Sequence, residues 1–127
     1  MKVLVTGVTG QLGFDVMRVL RGRDANAVGA TRSEMPLNDP ARTRAFVLET
    51  HTDAVIHCGA YTAVDRAEDE QSLCRTINGT ATGEIAAACE EIGVKYAFVE
   101  QDNAVDTDPL GCMKTSHDNL VRLGARF

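Results

Sequence analysis

The chain has 127 residues, of which 44% are hydrophobic and 24% charged, and its net charge is −5. This length and composition predict one globular domain over residues 1–127 with a real core. The negative charge argues against a nucleic-acid-binding protein, and no apolar run approaches the roughly 18 residues of a membrane span.

A short β-branched run at the N-terminus is followed by the stretch VTGVTGQLG, which places glycines at positions 7, 10 and 13. The run predicts a buried strand, and the apolar residues after it recur at helical spacing. These residues are Leu12, Phe14, Val16, Met17, Val19 and Leu20. Glycines at a strand-to-helix turn allow a phosphate to approach bare backbone at the helix N-terminus, so the pattern predicts a nucleotide site. A tight turn without a ligand is the alternative.

Strand-like and helix-like segments alternate through the rest of the chain. This alternation predicts a Rossmann-type doubly wound α/β fold, a parallel sheet with right-handed crossovers, and ligands are expected over the carboxyl ends of its strands. The predicted segments are a strand at 27–31, a helix capped by Asn38 or Asp39 with Pro40 in its first turn, a strand at 54–58, a helix at 72–92 that Gly93 ends, and a strand at 95–99.

The residues after the second strand bear on the choice of dinucleotide. In a Rossmann fold, an acidic residue at this place accepts a hydrogen bond from a ribose 2′-hydroxyl, or a basic residue binds a 2′-phosphate. The chain offers Arg32, with Glu34 beyond the turn. This favours NADP(H) over NAD(H), although an arginine in a turn is often only solvated.

Two other groups near the strand ends resemble functional residues. His57 could be a catalytic base, but its place within the predicted strand favours a packed, hydrogen-bonded histidine. The acidic residues of the next segment could suggest a metal site, but as a run on a helical surface they predict a solvated face. These acids are Asp65, Glu68, Asp69 and Glu70.

The cysteines predict a reducing, cytoplasmic setting and no metal site. They are widely and irregularly spaced and form no C-x-x-C pair, so free thiols are expected. They are Cys58, Cys74, Cys89 and Cys112.

Three motifs carry a family resemblance over about residues 1–99: TGVTGQLG, GAYTAVDRAEDE and INGTATGEIAAACEEIGVKY. They resemble the NADPH-dependent dTDP-4-dehydrorhamnose reductases, members of the extended short-chain dehydrogenase/reductase family. The resemblance implies that Ala60, Tyr61 and Thr62 line the middle of the cofactor. It also implies that the glycine turn approaches the pyrophosphate, through Gly7, Gly10, Gln11 and Leu12, with Gly13 completing the turn. The chain departs from the family at Pro36, where an aspartate near the adenine is usual.

The catalytic motif departs further from the family pattern. The family uses a tyrosine whose pKa is lowered by a lysine four residues later, and a Ser or Thr at the preceding strand end. Here Lys114 remains, but Leu110 occupies the tyrosine position and Gln101 lies at the Ser/Thr position. The family's C-terminal substrate lobe is also absent, which predicts an incomplete sheet edge open to a protein partner or to self-association.

The resemblance therefore implies an NADP(H)-binding domain without independent reductase activity. A residual contribution of Lys114 and Gln101 to a site shared with a partner is a weaker hypothesis. Two alternatives stay open: a non-catalytic regulatory or scaffold protein, similar to the β subunit of methionine adenosyltransferase, and an inactive product of a truncated gene.

Overall fold

The computed structural model describes residues 1–94 of the chain. The predicted strand at 95–99 lies outside the described residues, as do Gln101, Leu110, Cys112 and Lys114. Within residues 1–94, no helix is both long and apolar enough to cross a lipid bilayer.

The described strands form a parallel sheet whose order is β2-β1-β3. They are β1 (Lys2–Thr6), β2 (Asn26–Ala30) and β3 (Ala54–His57). All three predicted strands are confirmed, with ends that differ by one residue. The register pairs Thr6 with Ala30 on one side and with His57 on the other, so the three carboxyl ends meet at one edge of the sheet. We call this edge the carboxyl edge.

The helices connect and follow the strands. They are α1 (Gln11–Gly22), α2 (Pro40–Thr50), α3 (Val64–Ala67), α4 (Gln71–Arg75) and α5 (Ala81–Glu91), with a π-helical segment (Thr76–Thr80) between α4 and α5. Asp39, rather than Asn38, caps α2, because its carboxylate accepts a 3.1 Å hydrogen bond from the Arg42 amide. The predicted helix over 72–92 thus consists of two α-helices joined through a π-helical turn, and Gly93 follows it with a φ of +74°.

Both faces of the sheet are covered, which confirms the doubly wound architecture. Side chains alternate along β1, so Leu4 points to one face while Val3 and Val5 point to the other. Leu4 packs in a core with residues of α2 and α5, including Val47 and Ile85. Val3 and Val5 pack against Met17 of α1.

The predicted helix after the glycine turn is confirmed, but its apolar residues do not share one buried face. Leu12, Phe14 and Val19 are 57%, 62% and 47% exposed, and only the other three apolar residues pack against the sheet. The buried stripe runs through positions 13, 16, 17 and 20, which share one face at 3.6 residues per turn. Positions 12, 14 and 19 lie about 90° or more away from the centre of that stripe.

Candidate functional site

The carboxyl edge brings together the three segments that the sequence singles out. The glycine turn follows β1, the segment from Thr31 to Glu34 follows β2, and the segment from Gly59 to Thr62 follows β3. The register places the last residues of all three strands side by side. Each sequence-predicted cofactor residue between positions 1 and 94 therefore lies at or next to this edge.

The glycine turn is formed by backbone packed directly on backbone. Gly7 has a φ of +64°, and a Cβ there would lie 2.8 Å from both the Cα and the amide nitrogen of Gly59. A Cβ on Gly13 would lie 2.7 Å from the carbonyl carbon of Gly7 and 2.9 Å from the Cα of Val8. The fold itself therefore requires Gly7 and Gly13, because larger residues would push apart the turn, the helix and the end of β3.

Gly10 differs from its two neighbours in the turn. It is the N-cap of α1 with an ordinary φ of −85°, and a Cβ there would meet only the Gly7 carbonyl oxygen, at 3.3 Å. No side chain caps α1 within the described residues, and its first turn carries no acidic residue. Gln11 and Leu12 are exposed. The start of α1 therefore offers backbone amides and a positive dipole end to an anion.

The hydroxyl of Thr6 joins the ends of β1 and β3, a role that the sequence reasoning missed. Thr6 is 2% exposed, and its Oγ1 accepts hydrogen bonds from the amides of Cys58 (3.1 Å) and Gly59 (3.3 Å). The same oxygen lies 2.7 Å from Nδ1 of His57. Because both lone pairs of Oγ1 accept from amides, the Thr6 hydroxyl donates its proton to Nδ1.

This bond also fixes the state of His57. Since Nδ1 accepts, the neutral ring carries its proton on Nε2, which lies 3.4 Å from the hydroxyl of Thr82 in α5. Burial lowers the pKa of the His57 ring, which further favours the neutral form. The prediction of a packed, hydrogen-bonded histidine is confirmed.

The segment after β2 is held by a side chain that the sequence suggested only weakly. The carboxylate of Glu34 accepts hydrogen bonds from the Thr31 amide (2.9 Å) and the Thr31 hydroxyl (2.6 Å). These bonds lower the pKa of Glu34, the side-chain bond having the larger effect. Arg32 is exposed. The acid of this loop is thus engaged with the loop's own backbone, while the guanidinium of Arg32 faces solvent.

The segment after β3 is anchored by its tyrosine. Ala60 and Thr62 are exposed, whereas Tyr61 is half-buried. The Tyr61 phenol donates a 2.5 Å hydrogen bond to Glu70, which raises the phenol's pKa. Tyr61 therefore remains protonated and acts here as a structural donor.

Glu70 departs from the predicted solvated acidic face. Its carboxylate accepts from Tyr61 and from Arg66 (2.8 Å), and these two bonds lower its pKa. The other three acids of the run are exposed, as expected. Among residues 1–94, no cluster of His, Cys, Asp or Glu is arranged to hold a metal ion.

The thiols in the described part of the chain are free, as predicted. Cys58, Cys74 and Cys89 are half-buried, and burial raises the pKa of the Cys58 and Cys89 thiols. The cytoplasmic setting inferred from the cysteines stays a prediction.

Comparison with known proteins agrees with this architecture. A sequence model of the family described as the RmlD substrate binding domain matches residues 1–116. The chain belongs to this family. It is 35% identical over 106 residues to a dTDP-4-dehydrorhamnose reductase of Burkholderia thailandensis, and 37% identical over 99 residues to one of Streptomyces griseus. The chain is therefore a dTDP-4-dehydrorhamnose reductase-like Rossmann domain, as the motifs implied.

A solved structure supports the same relationship. The dTDP-4-dehydrorhamnose reductase of Bacillus anthracis, crystallised in complex with NADP, superposes with a TM-score of 0.68 at 31% identity over 75% of this chain. The match covers 35% of that enzyme. The matches to the Burkholderia and Streptomyces relatives cover 84% and 78% of this chain, and 35% and 33% of those proteins. The chain thus spans about a third of the length of the relatives it matches.

The sequence reasoning missed three residues that shape the edge: Thr6, Glu34 as a loop anchor, and Asn78, which contacts the Tyr61 backbone. Thr6 carried one usable signal, because a hydroxyl directly before a glycine turn can bond to a neighbouring strand end. Asn78 carried another, because asparagine is a poor helix former in the middle of a helical run.

Proposed function

We propose that the chain is a single dinucleotide-binding domain over residues 1–127 that binds NADP(H) across the carboxyl edge and does not reduce a sugar on its own. The observation that carries this proposal is the glycine turn. Gly7 and Gly13 are required by the fold, whereas a Cβ on Gly10 would approach only the Gly7 carbonyl oxygen, at 3.3 Å, beside the uncapped start of α1. Such an arrangement suits a pyrophosphate, whose oxygens would accept hydrogen bonds from the exposed amides.

The segments beside the turn complete the proposed site. The exposed Arg32 would pair with a 2′-phosphate, since Glu34 is occupied by Thr31 and is poorly placed to receive a ribose hydroxyl. Ala60, Tyr61 and Thr62 would line the middle of the dinucleotide. The NADP complex of the Bacillus anthracis relative supports the choice of NADP(H) over NAD(H).

The sequence argues against independent catalysis. Protonation of a sugar alkoxide needs an acid, and Leu110 at the expected tyrosine position has no proton to donate. Lys114 and Gln101 would then contribute only to a site shared with a partner that supplies the acid.

Calorimetric titration of NADPH and NADH into the purified 127-residue chain tests the binding proposal. We expect a dissociation constant for NADPH on the order of micromolar, tighter than that for NADH. Gly10→Val should abolish binding, because its side chain would fill the proposed phosphate space. Gly22→Val is the matched control: it places the same side chain in the same helix, where a Cβ meets no atom within 4 Å.

The two outcomes of this titration are distinct. Binding that Gly10→Val removes and Gly22→Val preserves would support the site. No binding of either dinucleotide up to millimolar concentrations would overturn the proposal and leave only the fold.

A non-catalytic regulatory or scaffold role is the second candidate, and Leu110 is the observation that favours it. In that case the dinucleotide would stabilise the domain, and a protein partner or a second copy would bind its surface. NADPH oxidation with a dTDP-4-keto sugar by a full-length reductase of the family, measured with and without the chain, tests this role: a change in rate on adding the chain would support it, and an unchanged rate would contradict it. Turnover by the chain alone would contradict the absence of independent catalysis.

A further inference from the structure

The loop after β2 is contacted by a second arginine, which belongs to the helix that follows. Arg42 lies in the first turn of α2, and its Nη2 donates a 3.4 Å hydrogen bond to the carbonyl of Ser33. Because α2 connects two parallel strands, it begins at the carboxyl edge. The Arg42 guanidinium therefore lies beside the residue that directly follows Arg32.

The stability of α2 does not explain this arginine. The helix dipole disfavours a cation near the N-terminus, and the first turn of α2 contains no acidic residue. Arg42 is exposed, and its guanidinium forms no ion pair within residues 1–94. By contrast, Arg44 of the same helix pairs with Glu84 (3.4 Å) and Glu91 (2.5 Å) of α5. A residue that breaks a local rule without a gain in packing is a candidate for a functional role.

The two hydroxyl groups of the loop have no proton left for a phosphate. The Thr31 hydroxyl donates to Glu34 (2.6 Å), so it can only accept from the Ser33 hydroxyl, which lies 3.0 Å away. The proton of Ser33 is therefore used on Thr31. A phosphate bound beside these residues would obtain its side-chain hydrogen bonds from guanidinium groups, each of which carries several donors.

The charges around the loop make one arginine insufficient for such a phosphate. Glu34 and Asp39 are both negative, and the hydrogen bonds from Thr31 lower the pKa of Glu34, which keeps it ionised. Arg32 alone balances only one of these carboxylates. A phosphate monoester adds a charge of about −1.5 to −2 at pH 7. Arg42 balances the second carboxylate and makes a second guanidinium available to the incoming anion.

We propose that Arg42 is a specificity-determining residue, which shares with Arg32 the 2′-phosphate of a bound NADP(H). This role rests on the proposed function. Two guanidinium groups from different elements can bind different oxygens of one phosphate, through charge-assisted hydrogen bonds. A dinucleotide without the 2′-phosphate brings no anion to this loop, so its affinity should not depend on Arg42.

Calorimetric titration of NADPH and NADH into the full chain and into Arg42→Gln tests this role. At pH 8 the 2′-phosphate carries close to two negative charges, because its second pKa is about 6. We expect Arg42→Gln to raise the dissociation constant for NADPH about tenfold and to change that for NADH by less than about twofold. Arg42→Lys keeps the charge but loses the planar guanidinium, so its dissociation constant for NADPH should lie between those of the native chain and Arg42→Gln.

Arg44→Gln is the matched control. It makes the same change of charge in the same helix, at a side chain that pairs with α5. Both dissociation constants should keep their native values. If Arg44→Gln weakened NADPH binding as much as Arg42→Gln does, the effect would come from net charge alone and the role of Arg42 would be overturned.

Glu34→Gln tests the charge argument in the opposite direction. Both bonds from Thr31 go to one carboxylate oxygen, Oε2, and the amide oxygen of a glutamine can accept them in its place. Removal of the negative charge should lower the dissociation constant for NADPH by about threefold, and that for NADH by less. An unchanged constant for NADPH would contradict the charge argument for a second arginine.

Each contrary result has its own meaning. Equal losses for both dinucleotides, or no loss for either, in Arg42→Gln would overturn the role of Arg42 while the proposed function stands. Equal affinities of the native chain for NADPH and NADH would overturn the choice of NADP(H) and the role of Arg42 with it. If the native chain binds neither dinucleotide, the proposed function is wrong and this role is overturned as well.

Discussion

The glycine turn and the loop after β2 form neighbouring parts of one edge, yet they are held in different ways. In the turn, backbone lies against backbone, and Gly7 and Gly13 leave no room for a Cβ. In the loop, one carboxylate, that of Glu34, accepts from the amide and hydroxyl of Thr31 on an exposed surface. The first region tolerates almost no change in shape, whereas the second can be altered chemically without disturbing the core. The carboxyl edge thus joins one part held by backbone packing to another held by an exposed side chain.

Gly13→Ala is the variant for which we expect the largest effect on stability. The three atoms nearest to the added methyl group would all be backbone atoms, which cannot rotate away, so the free energy of unfolding should fall by about 3 kcal/mol. Urea denaturation measures this change. Gly22→Ala in the same helix meets no neighbour and should be neutral or slightly stabilising, by about 0.5 kcal/mol. Similar values for the two variants would contradict the packing argument.

Thr6→Val tests the hydrogen bonds between the Thr6 hydroxyl, just before the glycine turn, and the amides that follow β3. The substitution keeps the shape but leaves the amides of Cys58 and Gly59 without their acceptor, so we expect a loss of about 2 kcal/mol in urea denaturation. Thr6→Ser keeps the hydroxyl and should lose only about 1 kcal/mol, for one buried methyl group. A serine variant as unstable as the valine variant would show that packing, rather than the hydroxyl, matters at this position.

Arg32→Gln tests the loop after β2, which we expect to tolerate chemical change. Removal of a guanidinium from a 2′-phosphate should raise the dissociation constant for NADPH about tenfold and leave that for NADH unchanged, with little effect on stability. Arg23→Gln makes the same charge change near the opposite edge of the sheet, at the end of α1, and should alter neither constant. Equal increases in the dissociation constants for NADPH and NADH would show that Arg32 does not contact the 2′-phosphate.

The smallest expected effect is the pH dependence that His57 adds. Because its pKa is lowered in the folded state, the unfolded chain binds a proton more readily below pH 6.5. The free energy of unfolding should therefore decrease as the pH falls from 6.5 towards 5, by less than about 1.4 kcal/mol per pH unit, the limit for one proton. His57→Gln should reduce this dependence.

A second histidine provides the control for that measurement. His51 is exposed with a φ of +46°, which asparagine also adopts. His51→Asn should keep the native pH dependence. If the free energy of unfolding of His57→Gln depends on pH as strongly as that of the native chain, other titrating groups cause the dependence.

The sequence predicted the strands and the glycine turn because these depend on local pattern: β-branched runs, glycine spacing and the helix that follows. The spacing does not tell which apolar residues of α1 are buried, because six apolar residues within nine positions spread over more than one face of a helix. The contacts of Thr6, Glu70 and Asn78 were missed for another reason. Local pattern can mark Thr6 and Asn78 as unusual, but each contact depends on which group the fold brings within about 3 Å.

The π-helical turn at Thr76–Thr80 also sets the directions of the side chains within one helical run. Ala81, Ile85 and Ala88 of α5 are buried on one side, while Asn78 just before them faces Tyr61. Deleting the extra residue that a π-helical turn contains would restore an unbroken α-helix and leave α4 and α5 close to their present phase, but the side chains of the turn would point in other directions. The core contacts of α5 could then be kept while the contact between Asn78 and Tyr61 is lost. Such a deletion should therefore cost little stability and act mainly on the segment after β3.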